Sequence, residues 1–178
     1  MRAKTIWLFG PSGAGKTTLG NLICEQIANR YGKSAVILDG DEVRKTLTPH
    51  LGFSFKDRRT QSQVVAMHAA RLNREGSWAV VALITPYKAF RDLAREYLSE
   101  VDFIYLDSTR KTRMERDPKG LYALAEAGEI QDLTGYDGVF ELPSVGEAHM
   151  VSTETGIGIT AEAVFAIVEE FVEGGAGI

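Results

Sequence analysis

Ile6-Trp-Leu-Phe-Gly-Pro-Ser-Gly-Ala-Gly-Lys-Thr-Thr18 is the stretch whose reading decides the fold. An apolar run, Ile6 to Phe9, stops at Gly10; Gly13 and Gly15 follow, and Lys16 and Thr17 open an amphipathic segment. This is G-x-x-x-x-G-K-[ST] between an expected strand and an expected helix, the context in which the pattern means a phosphate-binding loop. The glycines let the backbone curl so that N–H groups point at phosphate oxygens. The following helix adds its positive N-terminal end. Gly10, Pro11, Ser12, Gly13, Ala14, Gly15, Lys16, Thr17 and Thr18 are therefore the expected cradle of a nucleoside triphosphate. Lys16 would reach the β- and γ-phosphates, and the Thr17 hydroxyl would sit on Mg²⁺.

Around this loop, 178 residues suit one domain with a three-layer core, and 44% hydrophobic with 25% charged residues is the make-up of a globular chain. A net charge of -4 argues against a nucleic-acid partner. The one cysteine, Cys24, excludes an internal disulfide and falls among Leu19, Leu22, Ile23 and Ile27, as a packed thiol would. Trp78 to Ile84, the most apolar run, is too short to cross a bilayer, and the chain enters its first strand without a signal peptide. No membrane partner and a cytoplasmic location are the expectations.

Apolar runs predict strands at 4–9, 35–38, 78–84, 103–106 and 148–152. Helices are expected over 15–31, 41–47, 57–75 (with Val64, Val65, His68 and Leu72 on one side), 87–98 and 109–115. A short one is expected at 121–127, and a last one carries Val164, Ile167, Val168, Phe171 and Val172. Strands alternate with helices and no repeat is visible, so the fold class is α/β: about five parallel strands with helices on both faces. The segment 116–143, rich in Gly, Asp and Thr, reads as a lid, or else as a permanently packed loop anchored by Leu121, Tyr122 and Ile130. The glycine-rich end, 174–178, is expected to fray.

In such sheets ligands bind beyond the carboxyl ends of the strands. Asp39-Gly40-Asp41 lies there, either as a solvated turn or as a pair of carboxylates facing the triphosphate. A kinase acting on a hydroxyl needs a carboxylate to take or orient its proton, and Asp39 is the candidate, with Asp41 positioning substrate or metal-bound water. Arg44, one helical turn further, suits an anionic substrate. Arg58 and Arg59 beside Phe53-Ser-Phe55 suit a purine carrying phosphate, and equally a hydrophobic anchor with solvated charges. Arg113, Arg116 and Lys119 open the lid, where cations would meet the γ-phosphate. His50, His68 and His149 lack metal-ligand spacing and read as structural or surface residues.

Taken in order, Gly10 to Thr18, Leu38-Asp-Gly-Asp-Glu-Val-Arg44, Leu51-Gly-Phe-Ser54 with Asp57-Arg58, Val81-Ala-Leu-Ile-Thr-Pro-Tyr87, Arg116-Asp-Pro-Lys-Gly-Leu-Tyr122, and Gly128-Glu-Ile130 with Thr134-Gly135 resemble the adenylylsulfate kinase family. These ATP-dependent enzymes phosphorylate the 3′-hydroxyl of adenosine 5′-phosphosulfate. The resemblance covers nearly the whole chain and implies a phosphate-loop kinase using Mg²⁺ and often pairing as a homodimer. It implies Asp39 as base, with Arg44, Phe53 and Arg58 on the phosphosulfate nucleotide. Ile84, Thr85 and Pro86 would line that nucleotide's pocket, Arg116 would stack near the ATP adenine, and Lys119 would lie on the lid.

The chain departs from the family at several acceptor positions. Arg59-Thr60-Gln61 stands where Asp-Glu-Asn is usual, and Gln63-Val64 stands for two arginines. Thr85 replaces a serine but keeps the hydroxyl, Leu124 replaces a lid lysine, and Leu133 replaces a stacking phenylalanine. Gln61 and Leu133 are accordingly expected at the acceptor site in altered form. An alternative is a related kinase acting on another nucleotide-like acceptor. A GTPase-like switch lacks its Asn-Lys-x-Asp motif here, and an inactive binding module is disfavoured by intact Lys16, Thr17 and Asp39.

Overall fold

The computed structural model describes residues 2–174, so the end expected to fray lies, from residue 175 on, outside the described residues. Among these, five strands form one sheet: β1 (Thr5–Phe9), β2 (Ala35–Asp39), β3 (Trp78–Leu83), β4 (Val101–Asp107) and β5 (His149–Ser152). All pairings are parallel, in the order β2-β3-β1-β4-β5. The helices are α1 (Lys16–Tyr31), α2 (Gly40–Thr46), α3 (Phe55–Arg74), α4 (Lys88–Tyr97), α5 (Arg110–Arg116), α6 (Leu121–Glu126) and α7 (Ile157–Val172).

β1 and β3 are buried along their whole length, as expected for parallel strands covered on both faces. Alternation along β1 sends Ile6 and Leu8 into one layer with Leu19, Ile23 and Ile27 of α1 and Val164, Val168 and Phe171 of α7. Trp7 and Phe9 enter the opposite layer with Val65, Ala66 and Ala69 of α3, Ala94 of α4 and Phe103. α1 ends at Gly32, in the left-handed conformation, whose N–H bonds back to Ala28 and Ile27 carbonyls.

Three expectations are corrected. α3 starts at Phe55 rather than 57, because the Ser54 hydroxyl caps it by accepting the Asp57 N–H at 3.2 Å. Its buried face carries Gln61, Ser62, Val65, Ala66 and Ala69, while Val64, His68 and Leu72 are only half-buried, so small residues bring α3 close to the sheet. β4 begins at Val101 and includes a buried acid, Asp102, whose Oδ2 lies 3.2 Å from His149 Nε2 on the neighbouring strand. That pairing gives His149 the structural role expected of it.

Candidate active site

Beyond the carboxyl ends of β1, β2 and β3 lies a cleft of about 460 Å³. Its lining comes from three places: the loop after β1 with the start of α1 (Ser12, Gly13, Gly15 to Thr18), the region from Asp39 to Ser62, and Ala82 to Pro86 with Arg116, Pro118 and Lys119. The expected residues Asp39, Asp41, Arg44, Phe53, Arg58, Gln61, Ile84, Thr85, Pro86, Arg116 and Lys119 all border it. Gly10, Pro11 and Ala14 are buried beneath the loop and shape it from below.

Gly10 has φ +147°, and a Cβ there would sit 2.9 Å from the Leu106 carbonyl at the end of β4, so only glycine fits that approach. α1 starts after Gly15 with no side-chain cap, which leaves its first N–H groups open to an anion. Lys16 Nζ donates to the carbonyls of Gly10 (2.8 Å) and Pro11 (2.7 Å). Burial first, then the charge of Lys119, pulls its pKa from the usual lysine range to about 7, against the opposing pull of Asp39 and Asp41. A triphosphate would supply the missing countercharge.

Asp39 ends β2 and caps α2. Its Oδ1 accepts the N–H of Asp41 (2.9 Å) and Glu42 (3.4 Å), and its Oδ2 accepts the Thr17 hydroxyl at 2.6 Å. The carboxylate is thus fixed in direction at the mouth of the phosphate loop. Thr17 and Asp39 together offer adjacent hard oxygens. That fits Mg²⁺, which takes one or two protein oxygens and relies on substrate phosphates and water for the rest. Among the described residues, no group of three or more His, Cys, Asp or Glu gathers to hold a metal unaided.

Opposite stands Phe53, its ring 69% exposed and flanked by Arg44 (4.4 Å from ring centroid to guanidinium) and Arg58 (5.4 Å). A hydrophobic anchor would be buried, so the exposed ring between two cations favours recognition of a flat, anionic ligand. The two arms are held by backbone: Arg44 Nη1 donates to Gly52 O (2.7 Å) and Arg58 Nε to Phe53 O (2.9 Å). Burial, and for Arg44 the charge of Arg58, draws both guanidiniums below their usual range without neutralising them. Buried Gln61 donates to the Gly40 carbonyl at 3.0 Å, bracing the turn that presents Asp39 and Asp41.

Other expected residues lie away from the cleft. Leu133 is buried within the segment after α6 and does not border the cleft; its N–H bonds Asp137 Oδ1 at 2.7 Å. Gln63, Val64 and Leu124 do not border it either, and Gln63 Nε2 instead donates to the Tyr97 hydroxyl at 2.7 Å. Of the departures that raised a different acceptor, only Gln61 and Thr85 touch the cleft.

Arg113 is not a free lid cation. It is buried, donating to the carbonyls of Ser108 and Gly135 (2.9 Å for the latter) and to the Tyr122 hydroxyl at 3.1 Å, which itself donates to Ser12 O at 2.8 Å. Arg116 bonds Thr153 O (2.5 Å), Thr153 Oγ1 (3.2 Å) and Gly13 O (3.3 Å), and Lys119 pairs with Asp41. The two rim cations therefore have partners before any triphosphate arrives. A Cβ on Gly135, which has φ +79°, would lie 2.8 Å from Pro11 Cγ, so this part of the segment is seated on the phosphate loop.

Sequence reasoning missed Ser62 and Pro118 in the lining. Ser62 follows Arg58 by four residues on α3, a spacing that signals a shared face. Cys24 is half-buried, and burial with the neighbouring Glu25 pushes its thiol up to about 11, so it stays unreactive at neutral pH.

The adenylylsulphate kinase family model matches residues 2–151. The chain belongs to this family. A protein named probable adenylyl-sulfate kinase from Pyrococcus abyssi is 46% identical over 153 residues, 86% of this chain and 87% of its own length. The adenylyl-sulfate kinase of a Synechococcus strain is 38% identical over 156 residues, 88% of this chain and 89% of that protein. Among solved structures, the Mycobacterium tuberculosis APS kinase CysC in complex with AMPPNP and APS superposes with a TM-score of 0.88 at 33% identity, covering 94% of this chain and 98% of the other. The family's phosphate-loop kinase fold is thus the fold described above.

Proposed function

We propose that this family member transfers the γ-phosphoryl group of ATP to the 3′-hydroxyl of adenosine 5′-phosphosulfate, releasing ADP and 3′-phosphoadenylylsulfate. The observation that carries this reading is the pairing, across one cleft, of the Lys16–Thr17 phosphate loop with the Arg44–Phe53–Arg58 wall, and Asp39 between them. The cradle takes the triphosphate; the exposed ring and its two cations suit a purine nucleotide with an anionic 5′-group.

In the step itself, the ribose oxygen attacks the γ-phosphorus in line, the bond to the β,γ-bridging oxygen breaks, and ADP leaves. The hydroxyl proton passes to Asp39, whose direction is set by the two N–H groups it caps. Lys16, freed from the Gly10 and Pro11 carbonyls, follows the charge onto the transferring group. When bound, Mg²⁺ would neutralise phosphate charge, with the Thr17 hydroxyl among its ligands. The 2.6 Å Thr17–Asp39 bond also favours a second reading, in which Asp39 serves mainly to orient metal-bound water.

A coupled ADP-release assay with a panel of nucleotide acceptors tests the reaction: turnover with adenosine 5′-phosphosulfate is expected, and a preference for another acceptor refutes it. Asp39→Asn is expected to keep ATP affinity while lowering turnover by about 100- to 10,000-fold. A changed Mg²⁺ requirement with turnover largely kept would transfer Asp39 to the metal-orienting role. The proposal includes a single catalytic unit whose segment 116–143 covers the cleft, a cytoplasmic site of action where ATP is at hand, and pairing of two chains, which light scattering checks. No helix among the described residues is long and apolar enough to cross a membrane.

A further inference from the structure

Thr85 lies between two lining residues of the cleft, Ile84 and Pro86, and has φ +44°. A β-branched residue is strained there by roughly 1–3 kcal/mol and persists only where the surroundings over-determine it. Those surroundings are unusually complete. The fully buried Trp7 of β1 donates its indole N–H to the Thr85 hydroxyl at 2.9 Å. Arg91 of α4, also fully buried, donates from Nη1 to the carbonyls of Thr85 (3.4 Å) and Glu141 (3.2 Å), and from Nε to Glu147 at 2.6 Å. On either side, the Ile84 carbonyl accepts the Gly10 N–H at 3.3 Å, and the Pro86 carbonyl accepts the Glu141 N–H at 2.7 Å.

Several features here cost stability: a positive φ, a buried ion pair, and Arg91 Nη2 buried without a partner. An apolar substitute for Arg91 and Glu147 would serve the core at least as well. Such costs gather where a conformation is needed for function.

We propose that Trp7 and Arg91 are positioning residues for the acceptor nucleotide. They hold Thr85 in its left-handed conformation and so fix the edge of the cleft formed by Ile84 and Pro86. Neither borders the cleft, so each acts through Thr85. The Gly10–Ile84 bond ties that edge to the phosphate loop, which sets the distance between donor and acceptor sites. This inference rests on the proposed reaction for its kinetic arm only.

Trp7→Phe removes the N–H and keeps an aromatic ring; Thr85→Val removes the hydroxyl and keeps the branched shape without altering the aromatic core. Each is expected to raise KM for adenosine 5′-phosphosulfate by roughly 5- to 30-fold, the worth of one buried hydrogen bond, with KM for ATP changed less than about twofold. The double variant is expected to be no worse than the worse single variant, since both break the same bond. A loss shared equally between ATP and acceptor, or additive in the double variant, overturns the proposal in favour of a general core defect.

Hydrogen exchange supplies an arm that needs no substrate. The amides of Gly10 and Glu141, which donate to the Ile84 and Pro86 carbonyls on either side of Thr85, are expected to lose protection in both single variants while those of β1 keep it, and unchanged exchange at these two amides overturns the proposal. Wild-type protein that fails to phosphorylate adenosine 5′-phosphosulfate refutes the proposed reaction alone, and the exchange arm still decides the positioning.

Discussion

Replacing Glu147 by Gln keeps the shape of a side chain that closes a buried ion pair and removes its charge. In the native chain, Glu147 Oε1 accepts Arg91 Nε at 2.6 Å, its Oε2 accepts the Ser144 N–H at 2.9 Å, and its carbonyl accepts Arg95 Nη2 at 2.7 Å. The Arg91 side chain is wholly buried and that of Glu147 is 9% exposed. Glu147→Gln leaves a buried guanidinium facing carbonyls alone. Removing one partner of a buried pair costs about 3–5 kcal/mol, and the retained amide oxygen places this change near the lower figure. For a chain of this length, where each kcal/mol moves the melting temperature by about 2–4 °C, the expected fall is roughly 6–12 °C by calorimetry. Arg91→Met added to Glu147→Gln removes the stranded charge, so the double variant is expected to melt above the single one. A single variant within about 2 °C of wild type would refute this account of Arg91. The same pair sets a pH dependence. Burial pushes the Glu147 carboxyl up, but the Arg91 and Ser144 hydrogen bonds and the charges of Arg91 and Lys88 outweigh it, leaving it below the usual glutamate value. A depressed carboxyl contributes stability above its unfolded-state value and loses it as pH falls through the folded one, so the melting-temperature difference between wild type and Glu147→Gln is expected to shrink at pH below about 4.

Lys16→Ala is expected to abolish turnover and leave the melting temperature nearly unchanged, because Lys16 serves phosphate charge rather than the core; near-normal turnover would refute the phosphate-loop assignment. With burial lowering its pKa to about 7 in the free protein, Lys16 is mostly deprotonated at pH 8, and a bound triphosphate restores its charge. Calorimetry of ATP binding at pH 8 in buffers of different ionisation enthalpy is expected to register proton uptake that Lys16→Met removes. Lys119→Met breaks the pair with Asp41 and removes a rim cation, with an expected loss of roughly tenfold or more in kcat/KM, and an unchanged value would take Lys119 out of the site. In nucleotide-free protein, the amides of Tyr122, Gly135, Tyr136 and Gly138 are expected to exchange slowly and those of Ile130 and Gln131 quickly, whereas uniform fast exchange would restore a wholly loose lid.

The centre of the molecule was legible because parallel strands covered on both faces read as unbroken apolar runs; Ile6 to Phe9 and Trp78 to Leu83 needed no partner to be recognised. The phosphate loop was legible for the same local reason, since its glycines and Lys16 act within ten residues of one another. β4 was harder, because Asp102 breaks the apolar run and its partner His149 belongs to a strand far along the chain. Asp39 borders the cleft as its position after a strand suggested, and its neighbour Gly40 hid the fact that it also caps a helix. The rim cations were misjudged for another reason. Arg113 and Arg116 are held by the carbonyls of Ser108, Gly135, Gly13 and Thr153, and backbone carbonyls leave no mark in the side-chain pattern. Phe53 stood balanced between anchor and ligand contact, because the exposure that favours the second is not written in the local sequence.

β1 is the first strand of the chain and the middle strand of the sheet, with Thr5 paired to Ala79 on one side and Val101 on the other. A ribosome therefore delivers this fully buried strand long before either neighbour exists. While the nascent chain lengthens, Ile6 to Phe9 can be shielded only by α1 or by a chaperone, and no stable sheet forms until about the middle of the sequence has emerged. Folding of this kind, dominated by distant parallel pairings, is slow and passes through sticky partly assembled states. The residues that grip the triphosphate are thus made well before the strands that hold them in place.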